Sequence, residues 1–217
     1  MADDLFYVYS DPGPVPEDDF NDWYDNEHAP ARLEVPGFRS VQRLRALDGL
    51  TPPWLALYQI APGTLDTPEY KGLGANASKR EKALMPRLKT LDRRVYELIS
   101  EDRPASRPAP AGREDPAPVV MTVSMSVPAG SEDDVAAWYT DEHIPMLLAV
   151  PGWRRIRRFR LTSGTGPELL SMHEVDGQHV FDADGYKAAT STPWRDRILA
   201  NAVGREKRTF GLHKAWG

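Results

Sequence analysis

The 217-residue sequence contains no cysteine, which excludes disulfide bonds, thiolate metal ligands and cysteine nucleophiles. It also lacks any apolar run of about 18 residues, the length that a membrane-spanning helix requires. The acidic N-terminal stretch has no basic segment followed by an apolar one, so no signal peptide is predicted. Together these absences predict a cytoplasmic protein that does not act at a membrane.

An excess of positive charge is missing as well. The net charge is −5 at pH 7 and the isoelectric point is about 5.6, which argues against a nucleic-acid partner. No glycine-rich dinucleotide or nucleotide loop and no GxSxG motif occurs. We therefore expect a small-molecule substrate and no nucleotide cofactor.

What the sequence does contain is an internal repeat. Residues 23–45 read WYDNEHAPARLEVPGFRSVQRLR, and residues 138–160 read WYTDEHIPMLLAVPGWRRIRRFR. The offset is 115 residues without a gap, and 12 of the 23 positions are identical. Such a repeat determines the architecture and has to be recognised before individual elements are assigned.

A proline-rich segment separates the two copies. Residues 103–118 read RPASRPAPAGREDPAP and contain five prolines with almost no large apolar residue. This composition is typical of an extended, semi-rigid linker. It predicts a first domain over 1–102, a linker over 103–118 and a second domain over 119–217.

Each half predicts the same order of elements, β-α-β-β-α-β, which is the ferredoxin-like unit. Runs of β-branched and aromatic residues indicate the strands, and helical periodicity ending at Pro-Gly indicates the first helix. The predicted strands are 5–10, 38–47, 54–60 and 93–99, then 119–127, 153–162, 169–175 and 207–213; the predicted helices are 18–35 and 68–84, then 131–150 and 180–200.

The predicted fold class is therefore α+β. One ferredoxin-like unit has helices on one face of its antiparallel sheet, and the opposite face needs cover. Two tandem copies can supply that cover to each other. We expect the two sheets to form one barrel within a single chain.

The repeated segment, WYDNEHAPARLEVPGF and WYTDEHIPMLLAVPGW, resembles the dimeric α+β barrel superfamily and, within it, the EthD-like proteins. The resemblance covers both halves and is more specific for fold than for chemistry. Members of this superfamily are usually homodimers of a single repeat. The resemblance therefore implies that this chain, with two repeats, forms a complete barrel by itself; association into a homo-oligomer stays open. It also implies a catabolic or biosynthetic setting and a small, apolar, often aromatic substrate.

A helical wheel at about 100° per residue places Glu27 and Glu142 in the middle of the apolar, sheet-facing stripe. The adjacent His28 and His143 lie at its edge. A buried carboxylate is costly unless it is paired or protonated, and desolvation raises its pKa toward the range useful for acid–base catalysis. The pattern predicts buried glutamates beside histidine bases.

An architectural interpretation stays open for the same residues. Arginines alternate along the following strand, and some could pair with the glutamates as structural ion pairs. The histidines could bond to backbone at the helix end, beside a proline. The arginines are Arg39, Arg43 and Arg45, repeated as Arg154, Arg158 and Arg160.

Aromatic residues of the repeat are candidates for a pocket wall. Trp23 and Trp138 are predicted in the core or the wall. Tyr24 and Tyr139 could donate hydroxyl hydrogen bonds to a ligand or simply pack. The resemblance implies a pocket between each sheet and its helices, and the expected lining also includes Tyr58, Arg43 and Arg158.

The halves differ in their third strand. Tyr58 and Gln59 of the first half become His173 and Glu174 in the second, and His179 follows. We therefore expect activity to depend more on His143 than on His28. The three histidines show no HxH or HxxxH spacing, so no metal site is predicted.

These residues favour a cofactor-independent lyase or isomerase that dehydrates, isomerises or cyclises its substrate by proton transfer. A histidine would be the base, the adjacent glutamate would orient it or act as acid, and tyrosine and arginine would stabilise the oxyanion. Two alternatives stay open: a monooxygenase, cofactor-free or, as the superfamily implies, haem-dependent; and a non-catalytic small-molecule-binding protein.

Overall fold

The same succession of strands and helices occurs in both halves of the chain. The computed structural model describes residues 2–112 and 114–217. The first half contains β1 (Asp4–Asp11), α1 (Glu17–Trp23), α2 (Ala29–Leu33), β2 (Phe38–Ala46), β3 (Trp54–Ile60), α3 (Pro68–Ala75), α4 (Lys79–Leu84) and β4 (Thr90–Asp102). The second contains β5 (Val119–Ser126), α5 (Glu132–Trp138), α6 (Ile144–Leu148), β6 (Trp153–Ser163), β7 (Leu169–Val175), α7 (Asp184–Ala189), α8 (Pro193–Asn201) and β8 (Val203–Trp216).

The eight strands are antiparallel where their register is resolved, and their order, β1-β3-β2-β8-β5-β7-β6-β4, closes on itself. The predicted α+β class is thus confirmed. No helix in the described ranges is both long enough and apolar enough to span a membrane.

Two compact units make up the chain. The first runs to Glu97 and adds Thr162–Thr165 and Leu212–Gly217; the second comprises Leu98–Leu161 and Gly166–Gly211. The end of β4 therefore belongs to the second unit, and the end of β8 belongs to the first.

The register of the central strands determines which side chains share a face. In the first unit β1 lies between β3 and β4, so that Phe6 is opposite both Tyr58 and Val95. In the second, β5 lies between β7 and β8, and Met121 is opposite His173. Because side chains alternate along a strand, these residues lie on the face that packs against the helices of their own unit.

The second helix of each half is divided, whereas the sequence predicted one continuous helix over 68–84 and one over 180–200. The break occurs where a new N-cap forms. The Ser78 hydroxyl accepts a hydrogen bond from the Glu81 amide, and the Thr192 hydroxyl accepts one from the Arg195 amide. Such side-chain caps satisfy the free amides at a helix start, so each begins a separate helix.

A π-helical turn interrupts the first helix of each half, at Tyr24–His28 and at Tyr139–His143. It accommodates about one residue more than an α-helical turn, and later side chains are rotated by about one position, roughly 100°. His28 and His143 thereby become buried, while Glu27 and Glu142 are only half-buried. The prediction of buried, sheet-facing glutamates is wrong because the wheel assumed an uninterrupted α-helix.

Candidate functional site

In the first half, aromatic rings fill the space between sheet and helices. Tyr58 packs against Phe6 at 5.4 Å and against Phe38 at 5.7 Å between ring centroids. Tyr70 stacks on Phe38 at 5.9 Å. The buried Tyr24 and Tyr58 hydroxyls form a hydrogen bond with each other. Tyr58, predicted to line a pocket, is instead one of the residues that fill this space.

His28 is enclosed in this aromatic packing. Its ring lies 4.5 Å from the Trp23 ring and 4.6 Å from the Tyr24 ring. Nδ1 is 3.5 Å from Glu81 Oε1, a long contact, and the same oxygen is 3.3 Å from Arg32 Nη2. Burial lowers the pKa of His28 to about 4 despite the nearby Glu81 carboxylate, so the imidazole is neutral at pH 7.

The two glutamates connect the first helix of each half to the cap of its last helix. Glu27 accepts hydrogen bonds from Ser78 Oγ at 2.9 Å and from Arg80 Nη1 at 3.0 Å. Glu142 accepts one from Thr192 Oγ1 at 2.6 Å. Both glutamates therefore bond the N-cap residue of the last helix of their half, α4 or α8. These contacts are architectural, although the partners are not the strand arginines that the sequence suggested.

The strand arginines are engaged elsewhere. Arg43 is buried, forms an ion pair with Asp25, and lies 4.4 Å over the Trp54 ring. Arg158 donates from Nε to Ser100 Oγ at 2.9 Å, and its guanidinium is 5.2 Å over the Tyr139 ring. Arg158 lines a separate groove of about 100 Å³ beside Tyr139 rather than the cavity described next.

The second half has a cavity that reaches the sheet; in the first half Phe6 and Tyr58 fill the inner part of the equivalent space, while its outer part stays open beside Arg32, Tyr70 and Glu81. Met121 stands at the position of Phe6, and His173 at the position of Tyr58. The resulting space, partly open to solvent, has a volume of about 40 Å³ and is lined by Trp138, Tyr139, His143 and His173 among others. A volume of this size holds a few water molecules. Four of the predicted site residues thus meet in one place.

His143 is held in one tautomer by the backbone. Its Nδ1 lies 3.1 Å from the Ala189 carbonyl oxygen, which can only accept, so Nδ1 carries the proton and Nε2 keeps a lone pair. The ring stacks on Trp138 at 4.4 Å. Burial lowers the pKa of His143 to about 4, and the positive charge of Arg195 acts in the same direction.

His173 belongs to a short polar chain on β7. Its Nε2 lies 2.9 Å from Ser171 Oγ, and Ser171 also lies close to the Tyr139 hydroxyl. Burial lowers the pKa of His173 to about 3, so this ring is neutral too. Within the described residues its buried Nδ1 has no hydrogen-bond partner. An orphaned buried nitrogen on a cavity wall suggests a water or ligand atom as its partner.

Sequence reasoning missed several residues of this wall. Met121 could have been found, since it follows from Phe6 at the 115-residue offset. Arg195, Arg205 and Lys207 also line the cavity. The offset between the halves changes from 115 to 114 residues before α8, so the constant offset does not identify the first-half equivalent of Arg195. The described residues contain no cluster of three or more His, Asp or Glu side chains able to hold a metal ion.

Comparison with known proteins supports the fold. No family model matches the sequence, and no curated protein is significantly similar to it. Among solved structures, an anthrone oxidase-like protein matches with a TM-score of 0.66 at 14% identity, over 99% of this chain and 92% of the other. A candidate chlorite dismutase gives 0.63 at 13%, over 99% and 96%. A candidate monooxygenase from Fusobacterium nucleatum gives 0.60 at 9%, over 99% and 94%. The chain shares the dimeric α+β barrel fold with these proteins.

Proposed function

We propose that the protein is a cofactor-independent enzyme that removes a proton from a small, apolar or aromatic metabolite bound in the second-half cavity. Loss of water, isomerisation or cyclisation follows. One observation carries the proposal: two neutral imidazoles, His143 and His173, line a cavity at the place that the first half fills with Phe6 and Tyr58. The EthD-like repeat supports a catabolic or biosynthetic setting.

His143 is the base. The Ala189 carbonyl fixes the Nδ1 proton and leaves Nε2 to accept one from the substrate. With a pKa of about 4 it is a weak base while the cavity holds no charge. Negative charge that develops on the substrate beside it favours the imidazolium and raises that pKa during the transfer.

Tyr139, Ser171 and His173 stabilise the negative charge that the substrate acquires. Ser171 bonds His173 directly behind the cavity wall and lies close to the Tyr139 hydroxyl. Preorganised donors of this kind act without reorganising during the reaction and are commonly a large contribution to catalysis. Glu142 acts here as a positioning residue, because its carboxylate bonds Thr192 and the Trp138 indole at 3.2 Å.

The size of the cavity limits what can bind. About 40 Å³ admits the reacting end of a substrate, and a larger ring requires Met121 or Met125 to move. Methionine side chains are flexible enough to do so. Haem is too large for this space.

A cofactor-free monooxygenase is the second candidate, and the names of the anthrone oxidase-like and monooxygenase neighbours favour it. Its first step is the same proton abstraction by His143, after which the substrate carbanion reacts with dioxygen. The two candidates differ only after this step.

Anthrone and a panel of small phenolic ketones, incubated with the full-length protein in D₂O, test both candidates. We expect enzyme-dependent deuterium exchange at the acidic C–H, measured by NMR, with oxygen uptake recorded in parallel. Oxygen consumption selects the monooxygenase; exchange or water loss without it selects the lyase or isomerase.

A filled-cavity variant, Met121→Phe with His173→Tyr, is the matched control because it installs the residues of the first half. It should bind and exchange nothing. Equal exchange by this variant, or tight substrate binding without exchange in the unmodified protein, contradicts the proposed function.

A further inference from the structure

The wall of the second-half cavity has an uncompensated positive charge. Arg195, Arg205 and Lys207 line it, and its described lining includes no Asp or Glu. Arg195 has a long contact of 3.4 Å with the exposed Asp196, and Lys207 donates to the Tyr186 hydroxyl at 3.0 Å. Three cations converging without a carboxylate among them form a potential favourable to an anion.

In the first half an acidic residue stands at the position of Arg195. Ser78 and Thr192 are equivalent caps, so Glu81 and Arg195 occupy the same place three residues later. Glu81 pairs with Arg32 at 3.3 Å, and the residue equivalent to Arg32 is Leu147. An internal ion pair in one half is therefore replaced in the other by a leucine and a single arginine. An anionic ligand in the cavity would offset this charge.

We propose that the ligand of this cavity is a carboxylate, which Arg195 and Lys207 bind at the mouth while its other end reaches the inner wall. The buried Nδ1 of His173 is available to that inner end. The proposal rests on the proposed function only in treating this cavity as the substrate site, and it defines the substrate class as a small organic acid. Arg205, exposed at the rim, adds attraction without close contact.

Butyrate and its uncharged isostere butyramide test the proposal on the full-length protein. Binding is followed through the NMR signals of the histidine rings. Butyrate should shift the signals of His143 and His173, and leave His28, in the filled half, unchanged. Because charge-assisted hydrogen bonds are the stronger ones, butyrate should bind about tenfold more tightly than butyramide. Part of that preference should disappear at about 1 M salt.

The variant Arg195→Gln with Lys207→Gln should remove the preference for butyrate. Arg197→Gln is the matched control, because Arg197 lies on the same helix and pairs with Asp134 at 2.8 Å outside the cavity. Retention of the preference in the double variant, equal binding of amide and acid, or no shift of His143 and His173 by butyrate overturns the proposal.

Failure here is distinguishable from failure of the proposed function. Butyrate binding together with an absence of deuterium exchange on any substrate would refute proton transfer and leave the anion site intact. Exchange on neutral substrates, with no preference for acids, would refute the anion site alone.

Discussion

The two halves share a helix motif and a strand order, yet they use the space under their helices in opposite ways. In the first half Phe6 and Tyr58 meet in the core, and the Tyr58 hydroxyl bonds Tyr24. In the second, Met121 and His173 leave a cavity with neutral polar groups in its wall. The differences at these two positions distinguish a packed core from a candidate site. The comparison teaches that the motif buries a histidine in both halves, while its neighbours decide whether that histidine faces a cavity.

The two halves also differ in the charged groups around the motif histidine. His28 is close to a carboxylate, Glu81, which Arg32 neutralises in turn. His143 has a backbone carbonyl on one side and the cation Arg195 near the cavity. The first half therefore pairs the charge beside its histidine with a carboxylate, whereas the cavity lining of the second half has no carboxylate.

The largest expected effect concerns the two motif histidines. His143→Ala should lower kcat/KM by about 10²–10⁴, the usual loss for a general base, whereas His28→Ala should change it by less than about tenfold. Circular dichroism checks that both variants fold. A loss confined to His28→Ala would assign the active site to the first half, and no loss in either would favour a binding protein.

The second-largest effect should be a difference in core packing between the two halves. Phe6→Ala removes a buried ring from a filled core and should lower the free energy of unfolding by about 3–5 kcal/mol. Met121→Ala, beside an existing cavity, should cost about 2 kcal/mol, at the low end for methionine. Urea unfolding compares the two. Equal costs would show that the second half is packed as tightly as the first.

Acid should loosen the second half more than the first. The folded pKa values of His143 and His173, about 4 and 3, lie below the unfolded value of 6.5. Their stabilisation is thus complete above pH 6.5 and is lost as the pH falls toward 4 and 3.

At pH 5 the contribution of each of these two histidines to the free energy of unfolding should have fallen by about 2 kcal/mol, because each pH unit between the two pKa values corresponds to about 1.36 kcal/mol. The first half contains only one such residue, His28. Hydrogen exchange at β7 should therefore accelerate more than at β3. Identical acceleration in both strands would contradict the difference in buried histidines.

The smallest effect should come from the glutamates. Glu142→Gln weakens the bonds to Thr192 and Trp138, and should destabilise by about 1 kcal/mol. Glu27→Gln, whose partners Ser78 and Arg80 are more exposed, should cost about 0.5 kcal/mol. Thermal melting and turnover are measured together. A 100-fold rate loss in Glu142→Gln would restore the general-acid role inferred from the sequence.

The sequence predicts the fold well because the repeat is ungapped through helix, turn and strand. Proline-glycine stops, strand patterns and the element order all recur at one offset. Strand ends were predicted too short: β4 extends to Asp102 and β8 to Trp216. The last residues of β4 and β8 show no alternating pattern from which their pairing in the opposite unit could be predicted.

The candidate site was predictable only in part. The difference between Tyr58 and His173 is visible in the sequence, and it predicts that the two halves are not equivalent at this position. The π-helical turn is not visible, since no propensity distinguishes five π-helical residues from five α-helical ones; it alone reverses the positions of Glu27 and His28. The cation Arg195 was missed because its register depends on a cap, Thr192, found inside a segment predicted as continuous helix.

The strand ends that belong to the opposite unit also bear on synthesis. His213, in the segment Leu212–Gly217, contacts Asp25 at 3.0 Å across 188 positions of sequence and packs on Trp54 at 5.0 Å. A chain emerging from the ribosome cannot make these contacts until nearly all of β8 has been translated, and long-range closure of this kind is slow. The first unit, although translated first, is therefore completed only when the last strand has been made.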